Sequence, residues 1–137
     1  MAKDLYHDIV RLALEKEDWV ITDDPYKLKF EGVTYDIDLG AEKIIAAEKE
    51  NVKIAVEIKT FGGPVLVTNF HAAVGKYLNY HIGLMEREPD RILYLAVPIV
   101  PYRRFFLLPI IQKTIAFYKI KLIVYNPYKQ TIDQWIE

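Results

Sequence analysis

Tyr35-Asp36-Ile37-Asp38-Leu39 and Ile54-Ala55-Val56-Glu57-Ile58-Lys59 are two strand-like apolar stretches interrupted by acids, with Glu57 nineteen positions after Asp38. Side chains alternate across an extended strand, so Ile54, Val56 and Ile58 face one way while Glu57 and Lys59 face the other, side by side. If the two stretches are neighbours in one sheet, Asp38, Glu57 and Lys59 converge. Carboxylate oxygens are the ligands a hard cation such as Mg²⁺ or Mn²⁺ takes. A lysine beside them can orient a water or steady charge on a phosphate. Glu-x-Lys by itself is a common product of a strand with one wet face. The acids matter here because they sit inside strongly apolar runs, where mutual repulsion has to be offset by a cation or by Lys59.

Working outward, Asp4, Leu5, Ile9, Leu12, Ala13 and Lys16 carry the spacing of an amphipathic helix ending near Glu17, with Asp4 as its N-cap. Short strands are predicted at 19–22, 26–30 and 35–39. Another follows at 43–48 after a corner at Gly40-Ala41-Glu42, and a turn at Lys49-Glu50-Asn51 leads into 52–59. After a Gly62-Gly63-Pro64 breaker, Thr68 or Asn69 is placed to cap a second helix. Its stripe is Phe70, Val74, Tyr77, Leu78, His81 and Met85, and it stops near Pro89. A buried strand at 91–97, a proline-punctuated helical stretch at 102–118, a strand at 120–125 and an edge strand at 132–136 complete the chain. The order implies a single α/β domain over residues 1–137, with a mixed central sheet flanked by helices.

The chain has 137 residues, 52% of them hydrophobic, and contains neither cysteine nor serine. Disulfides, thiolate metal sites and the Ser or Cys nucleophiles of triad hydrolases are thereby excluded. The start of the chain has no apolar signal segment, and the apolar stretch 92–111 is broken by Pro98, Pro101, Arg103, Arg104 and Pro109. A cytoplasmic protein without membrane spans is expected. The net charge of −1 hides an asymmetry: seven cations and no acid lie between Arg91 and Ile132, leaving 11 of the 18 Lys/Arg and 17 of the 19 Asp/Glu to residues 1–90. A basic C-terminal third suits phosphates, and Arg103 and Arg104, set among Tyr102, Phe105 and Phe106, are its nucleic-acid candidates. Phe105 and Phe106 themselves read as core or interface anchors.

Lys76, four residues before Tyr80 on the second helix, is a further candidate to reach a phosphate beside the carboxylates. Glu42 and Glu48 read as solvated residues. His7, His71 and His81 have no metal-ligand spacing, although His81 reads as a packed helix residue.

Several stretches carry a resemblance that covers essentially the whole chain: Lys3-Asp4-Leu5-Tyr6-His7-Asp8, Thr22-Asp23-Asp24-Pro25-Tyr26, Asp38-Leu39-Gly40-Ala41-Glu42-Lys43, Ile54-Ala55-Val56-Glu57-Ile58-Lys59, Leu93-Tyr94-Leu95-Ala96-Val97-Pro98 and Gln134-Trp135-Ile136. In these the sequence resembles the XisH family, the fdxN-element excision controlling factors of cyanobacteria. The resemblance implies a restriction-endonuclease-like fold of the PD-(D/E)xK class, with Asp38 and Glu57 as ligands of Mg²⁺ or Mn²⁺ and Lys59 as the catalytic lysine. The namesake proline is replaced by Ile37, and Lys76 stands where many members carry a Gln. The implied role is excision of a DNA element beside a site-specific recombinase and a XisI-type partner, with homo-oligomers possible. Two functions stay open: a metal-dependent endodeoxyribonuclease, or a non-catalytic DNA-binding or assembly factor on the same scaffold.

Overall fold

The computed structural model describes residues 2–45, 50–62 and 65–137. Glu48, Lys49 and the Gly63-Pro64 part of the breaker lie outside them, while Glu50 and Asn51 of the expected Lys49-Glu50-Asn51 turn belong to a strand instead. The elements are α1 (Ala2–Lys16), β1 (Val20–Asp23), β2 (Tyr26–Phe30), β3 (Val33–Ile37), β4 (Leu39–Ile45), β5 (Glu50–Ile58), α2 (Leu66–Arg87), β6 (Ile92–Pro98), α3 (Ile99–Pro101), a π-helical turn (Tyr102–Phe106), α4 (Pro109–Tyr118), β7 (Leu122–Asn126) and β8 (Thr131–Ile136). Six strands form one sheet in the order β1-β4-β5-β6-β7-β8, while β2 and β3 make a separate hairpin. The sheet is mixed: β4 and β5 are antiparallel, β5, β6 and β7 run parallel, and β1 and β8 close the edges antiparallel. This is the α/β arrangement with a mixed central sheet flanked by helices that the element order implies.

Alternation along the central strands divides the core in two. Ile54 and Val56 of β5, Tyr94 and Ala96 of β6, and Ile123 and Tyr125 of β7 pack with Ile9, Val10 and Leu14 of α1. Ala55, Leu93, Leu95, Leu122 and Val124 pack on the other face with α2, α4, the hairpin and the π turn. Glu57 shares the parity of Ala55, so it enters the second layer, beneath α2.

Four local expectations are corrected. Helix α1 begins at Ala2, so Asp4 is inside it rather than at its cap. No corner forms at Gly40-Ala41-Glu42; the chain turns at Asp38, and Gly40 runs within β4 because a side chain there has no room. Helix α2 starts at Leu66, ahead of Thr68 and Asn69, and no side chain caps it; Asn69 instead donates from Nδ2 to the Gly62 carbonyl at 2.9 Å. Its buried face is Phe70, Ala73, Tyr77, Tyr80, Gly83 and Leu84, while His81 and Met85 are exposed. Gly83 belongs to that face because the hairpin lies close on the helix there: a Cβ on Gly83 would meet Leu28 Cδ1 at 3.1 Å and Tyr35 Cδ2 at 3.2 Å. His81 stacks on Tyr77 from outside, with ring centroids 6.3 Å apart.

A buried arginine ties the C-terminal end of α2 to the sheet and hairpin. Arg91 Nε donates to Glu88 Oε2 at 2.7 Å, Nη1 donates to the Ile54 carbonyl at 2.8 Å, and the guanidinium lies 4.4 Å from the Tyr26 ring centroid. The Tyr26 hydroxyl donates to the same Glu88 carboxylate. Arg91 above all holds that carboxyl down to about 2, so it is charged and its burial is compensated.

This knot gives Gly40 a testable role. Its added Cβ would lie 2.9 Å from Tyr26 Cδ2, on a ring already pinned by Glu88 and Arg91. Gly40→Ala is expected to cost about 1–3 kcal/mol, the range for overpacking, measured by urea unfolding; an unchanged midpoint would show that Tyr26 is free to give way.

Candidate functional site

The register of β4 on β5 builds the site. Leu39 pairs with Val56 and Gly40 with Ala55, so one step earlier on β4's approach Asp38 arrives beside Glu57. Asp38 is anchored there: its Oδ2 accepts a hydrogen bond from the Ile58 backbone N–H at 2.8 Å. The end of β3 is held against α2 by the Tyr80 hydroxyl, which donates to the Asp36 carbonyl at 3.2 Å. Strand β5 continues into Lys59, whose N–H donates to the Ala96 carbonyl of β6 at 3.0 Å. A cleft of about 340 Å³ opens at this end of the sheet, lined by Asp36, Asp38, Glu57, Ile58, Lys59, Thr60 and Lys76.

All four catalytic candidates, Asp38, Glu57, Lys59 and Lys76, thus line one cleft. Arg103 and Arg104 do not. They are exposed on the π turn that follows β6. Phe105 and Phe106 of that turn are buried, and Phe106 meets Phe61, just beyond β5, with centroids 5.0 Å apart. These contacts put the turn at the same end of the parallel strands as the carboxylates. They also assign Phe105 and Phe106 to the core and not to a surface. Asp36 and Thr60 line the cleft too, although sequence reasoning does not single them out. The two-residue spacing of Asp36 and Asp38 is the available signal; for Thr60 there is none beyond its place after Lys59. Asp36 is ion-paired to Lys27 across the hairpin at 2.9 Å.

Glu57 is only 5% exposed. Its carboxyl is pushed up to about 8, first by burial and then by the negative charge of Asp38, against the opposing pull of Lys76. Lys76 Nζ lies 3.7 Å from Glu57 Oε2, yet Oε1 is buried with no hydrogen-bond partner among the described residues. Burial, Glu57 and Asp38 likewise push the neighbouring Tyr80 hydroxyl up to about 12, which keeps it a donor.

This donor set fits a hard divalent cation. The unpartnered oxygen of Glu57 and the carboxylate of Asp38 could supply two hard ligands. Among the described residues no group of three or more His, Cys, Asp and Glu converges, so a cation there would need water or substrate oxygens to complete its shell, as Mg²⁺ tolerates. Among the described residues, no helix is long and apolar enough to cross a membrane.

A family model described as "XisH protein" matches residues 1–133. A solved fdxN element excision controlling factor protein from Anabaena variabilis superposes with a TM-score of 0.90 at 38% identity, over 98% of this chain and 99% of that one. An XisH family protein from Nostoc punctiforme PCC 73102 superposes with a TM-score of 0.88, also at 38% identity, over 98% of this chain and 100% of that one. No curated protein matches the chain significantly. A match running through nearly every element, including both acid-bearing strands and the helix above them, establishes the relationship: the chain belongs to the XisH family.

Proposed function

We propose that the chain is a Mg²⁺- or Mn²⁺-dependent phosphodiesterase with a restriction-endonuclease-like core of the PD-(D/E)xK class, acting on DNA in the controlled excision of a genetic element. The observation that carries this reading is the buried Glu57 carboxyl, facing Asp38 with one oxygen unpartnered in a cleft that also holds two lysines. The relative from Anabaena variabilis, named as an excision controlling factor, supports the biological setting. A site-specific recombinase and a XisI-type protein are the partners such a role calls for.

In this mechanism Asp38 and Glu57 hold the cation. Bound between those carboxylates, such a cation would supply polarisation of a phosphate oxygen and a more acidic water. Lys59, which lines the same cleft as Glu57, orients the attacking water and steadies the charge that grows on the phosphate. The hydrogen bond from the Ile58 N–H fixes the Asp38 carboxylate, so the acid pair is positioned before substrate arrives. Arg103 and Arg104 take the flanking DNA backbone. One feature favours a second reading, a DNA-binding accessory factor that does not cut: Lys76 already pairs with Glu57 and partly neutralises the acid pair. DNA binding that ignores EDTA, without cleavage, is its signature.

Purified protein incubated with duplex, nicked and branched DNA in Mg²⁺ or Mn²⁺ is expected to cleave. Glu57→Ala and Lys59→Ala should each slow cleavage by about 100-fold or more, the scale for removing one electrostatic partner of a transition state. Equal cleavage by both variants would dismiss the site, and no cleavage on any substrate would favour the accessory factor.

Glu57 also carries a pH signature. Its folded pKa, about 8, lies above the ordinary value of 4.5. Below pH 4.5 both folded and unfolded chains hold the proton and nothing is gained or lost. From there to about 8 the unfolded chain releases the proton first, so the native state loses stability as pH rises. In EDTA, Glu57→Gln is therefore expected to be more stable than the parent at pH 8 and to converge with it toward pH 4.5. Mn²⁺ should raise the melting temperature of the parent at pH 8 and leave Glu57→Gln little changed. Parallel melting curves for the two proteins across this range would show that Glu57 is not held protonated.

Removing Arg103 and Arg104 together should weaken DNA binding whatever the sequence and lower the slope of log K against log salt by about 1 for each phosphate no longer neutralised. An unaltered slope would remove them from the DNA interface.

A further inference from the structure

Lys76 is placed to do more than touch a phosphate. It sits in the middle of α2, beside the buried positions Ala73, Tyr77 and Tyr80, so its stem leaves the helix at the margin of the packed face. The ammonium reaches down to Glu57, and the two ends of this contact differ: the Lys76 side chain is 54% exposed and the Glu57 side chain 7%. The separation of 3.7 Å is longer than a hydrogen bond, and no second acceptor for this ammonium occurs among the described residues. One carboxylate oxygen therefore has a loosely held internal cation, while the other, Oε1, is buried without a partner. The remaining charges facing this pair are Asp38 from the β3–β4 corner, Lys59 from β5, and Asp36, which is already paired with Lys27.

We propose that Lys76 is an internal counter-ion of the site: it occupies Glu57 when no divalent cation is bound, must release that carboxylate for the cation to bind, and so weakens the protein's grip on the cation. The inference rests on the reading of Asp38 and Glu57 as a metal site. Its physical basis is direct. An ammonium and a divalent ion placed on the same carboxylate repel each other, and a carboxylate shared with a lysine is a poorer ligand. A lysine suits the part because its charge is a point on a flexible stem with three rotatable donors, free to swing into water. Once released at the mouth of the cleft, the ammonium is where an entering phosphate needs a positive partner. Metal loading and phosphate capture are then coupled through one side chain, and Lys76 is a positioning residue.

Isothermal titration of Mn²⁺ into the full chain at low ionic strength and pH 8.5, where the Glu57 carboxyl is ionised, tests this. The parent protein is compared with Lys76→Met, which keeps the stem and removes the charge, and with Lys113→Met, which makes the same change in net charge on the exposed face of α4. Lys76→Met is expected to bind Mn²⁺ about tenfold more tightly, a pairwise effect on the scale of one pKa unit, with Lys113→Met within twofold of the parent. Circular dichroism confirms that each variant is folded. In the parent, the reactivity of Lys76 toward an amine-acylating reagent, read by peptide mass, should rise on saturation with Mn²⁺. Binding detectable only in Lys76→Met also supports the proposal. Equal or weaker binding by Lys76→Met, beside clear binding by the parent, overturns it and leaves the metal site standing. Absence of binding in both proteins overturns the proposal and the metal site together.

Discussion

The antiparallel register between β4 and β5 is the constraint on which the site and much of the fold depend. Strand β5 is where the antiparallel half of the sheet meets the parallel half, and it is covered on both faces. Such a strand has no wet side on which to leave an acid. A slip of one residue would exchange Val56 for Glu57 in the α1 layer and carry every neighbouring side chain to the wrong face. The register that buries Val56 and Leu39 together therefore also delivers Glu57 into the layer beneath α2, with Asp38 beside it. Core packing and site geometry are one arrangement read from the two faces of the same strands.

Helix α2 must be equally well fixed for Lys76 to meet Glu57, and both of its ends are held. Near the start, Asn69 donates to Gly62 and Phe70 packs on Phe105 and Phe106, with centroids 5.6 Å away in each case. At the other end Glu88 and Arg91 bind Tyr26 and the Ile54 carbonyl, while Arg87 lies 4.6 Å from the Phe30 ring and donates to the Lys29 carbonyl. The hairpin of β2 and β3 is clamped between helix and sheet by these contacts. It in turn delivers Asp38, because β3 leads straight into the corner where Asp38 sits.

Much of this is legible in the sequence, for identifiable reasons. The parity of Ile54, Val56 and Ile58 against Glu57 is a covalent property of an extended chain, and the structure keeps it: the first three pack toward α1 and Glu57 meets α2. The strands expected at 26–30, 91–97 and 132–136 follow from β-branched and aromatic residues bounded by turn residues, and β2, β6 and β8 match them within one residue at either end. Periodicity misjudges the face of α2 because hydrophobicity favours Met85 over Gly83, whereas the deciding factor is how closely the hairpin approaches, a tertiary fact. Gly40 reads as a corner for the same reason: a glycine needed for lack of space looks, in sequence, like one needed for a bend. The Arg91 knot leaves no local signal, because Arg91 reads as the first residue of a strand. Nothing nearby says that Tyr26, 65 positions earlier, lies under its guanidinium.

The energetics of Glu57 bear on whether the site is more than a relic of the fold. An exposed ion pair contributes about 0–1 kcal/mol, and Lys76, more than half exposed, is a partner of that kind. Burying an ionised carboxylate costs several kcal/mol, which is why Glu57 keeps its proton up to about pH 8, and an apolar residue of similar volume is often neutral or stabilising in its place. Fastening α2 to β5 therefore does not account for Glu57, since a leucine there would do so at lower cost. The proximity of Asp38 makes the cost larger, and the unpartnered Oε1 leaves it uncompensated within the described residues. Lys76 holds one Glu57 oxygen only loosely, and the spare oxygen beside Asp38 leaves a place for the smaller, stronger cation of the proposed metal site. That deficit, rather than the presence of an acid-lysine pattern, gives the cleft its chemical meaning.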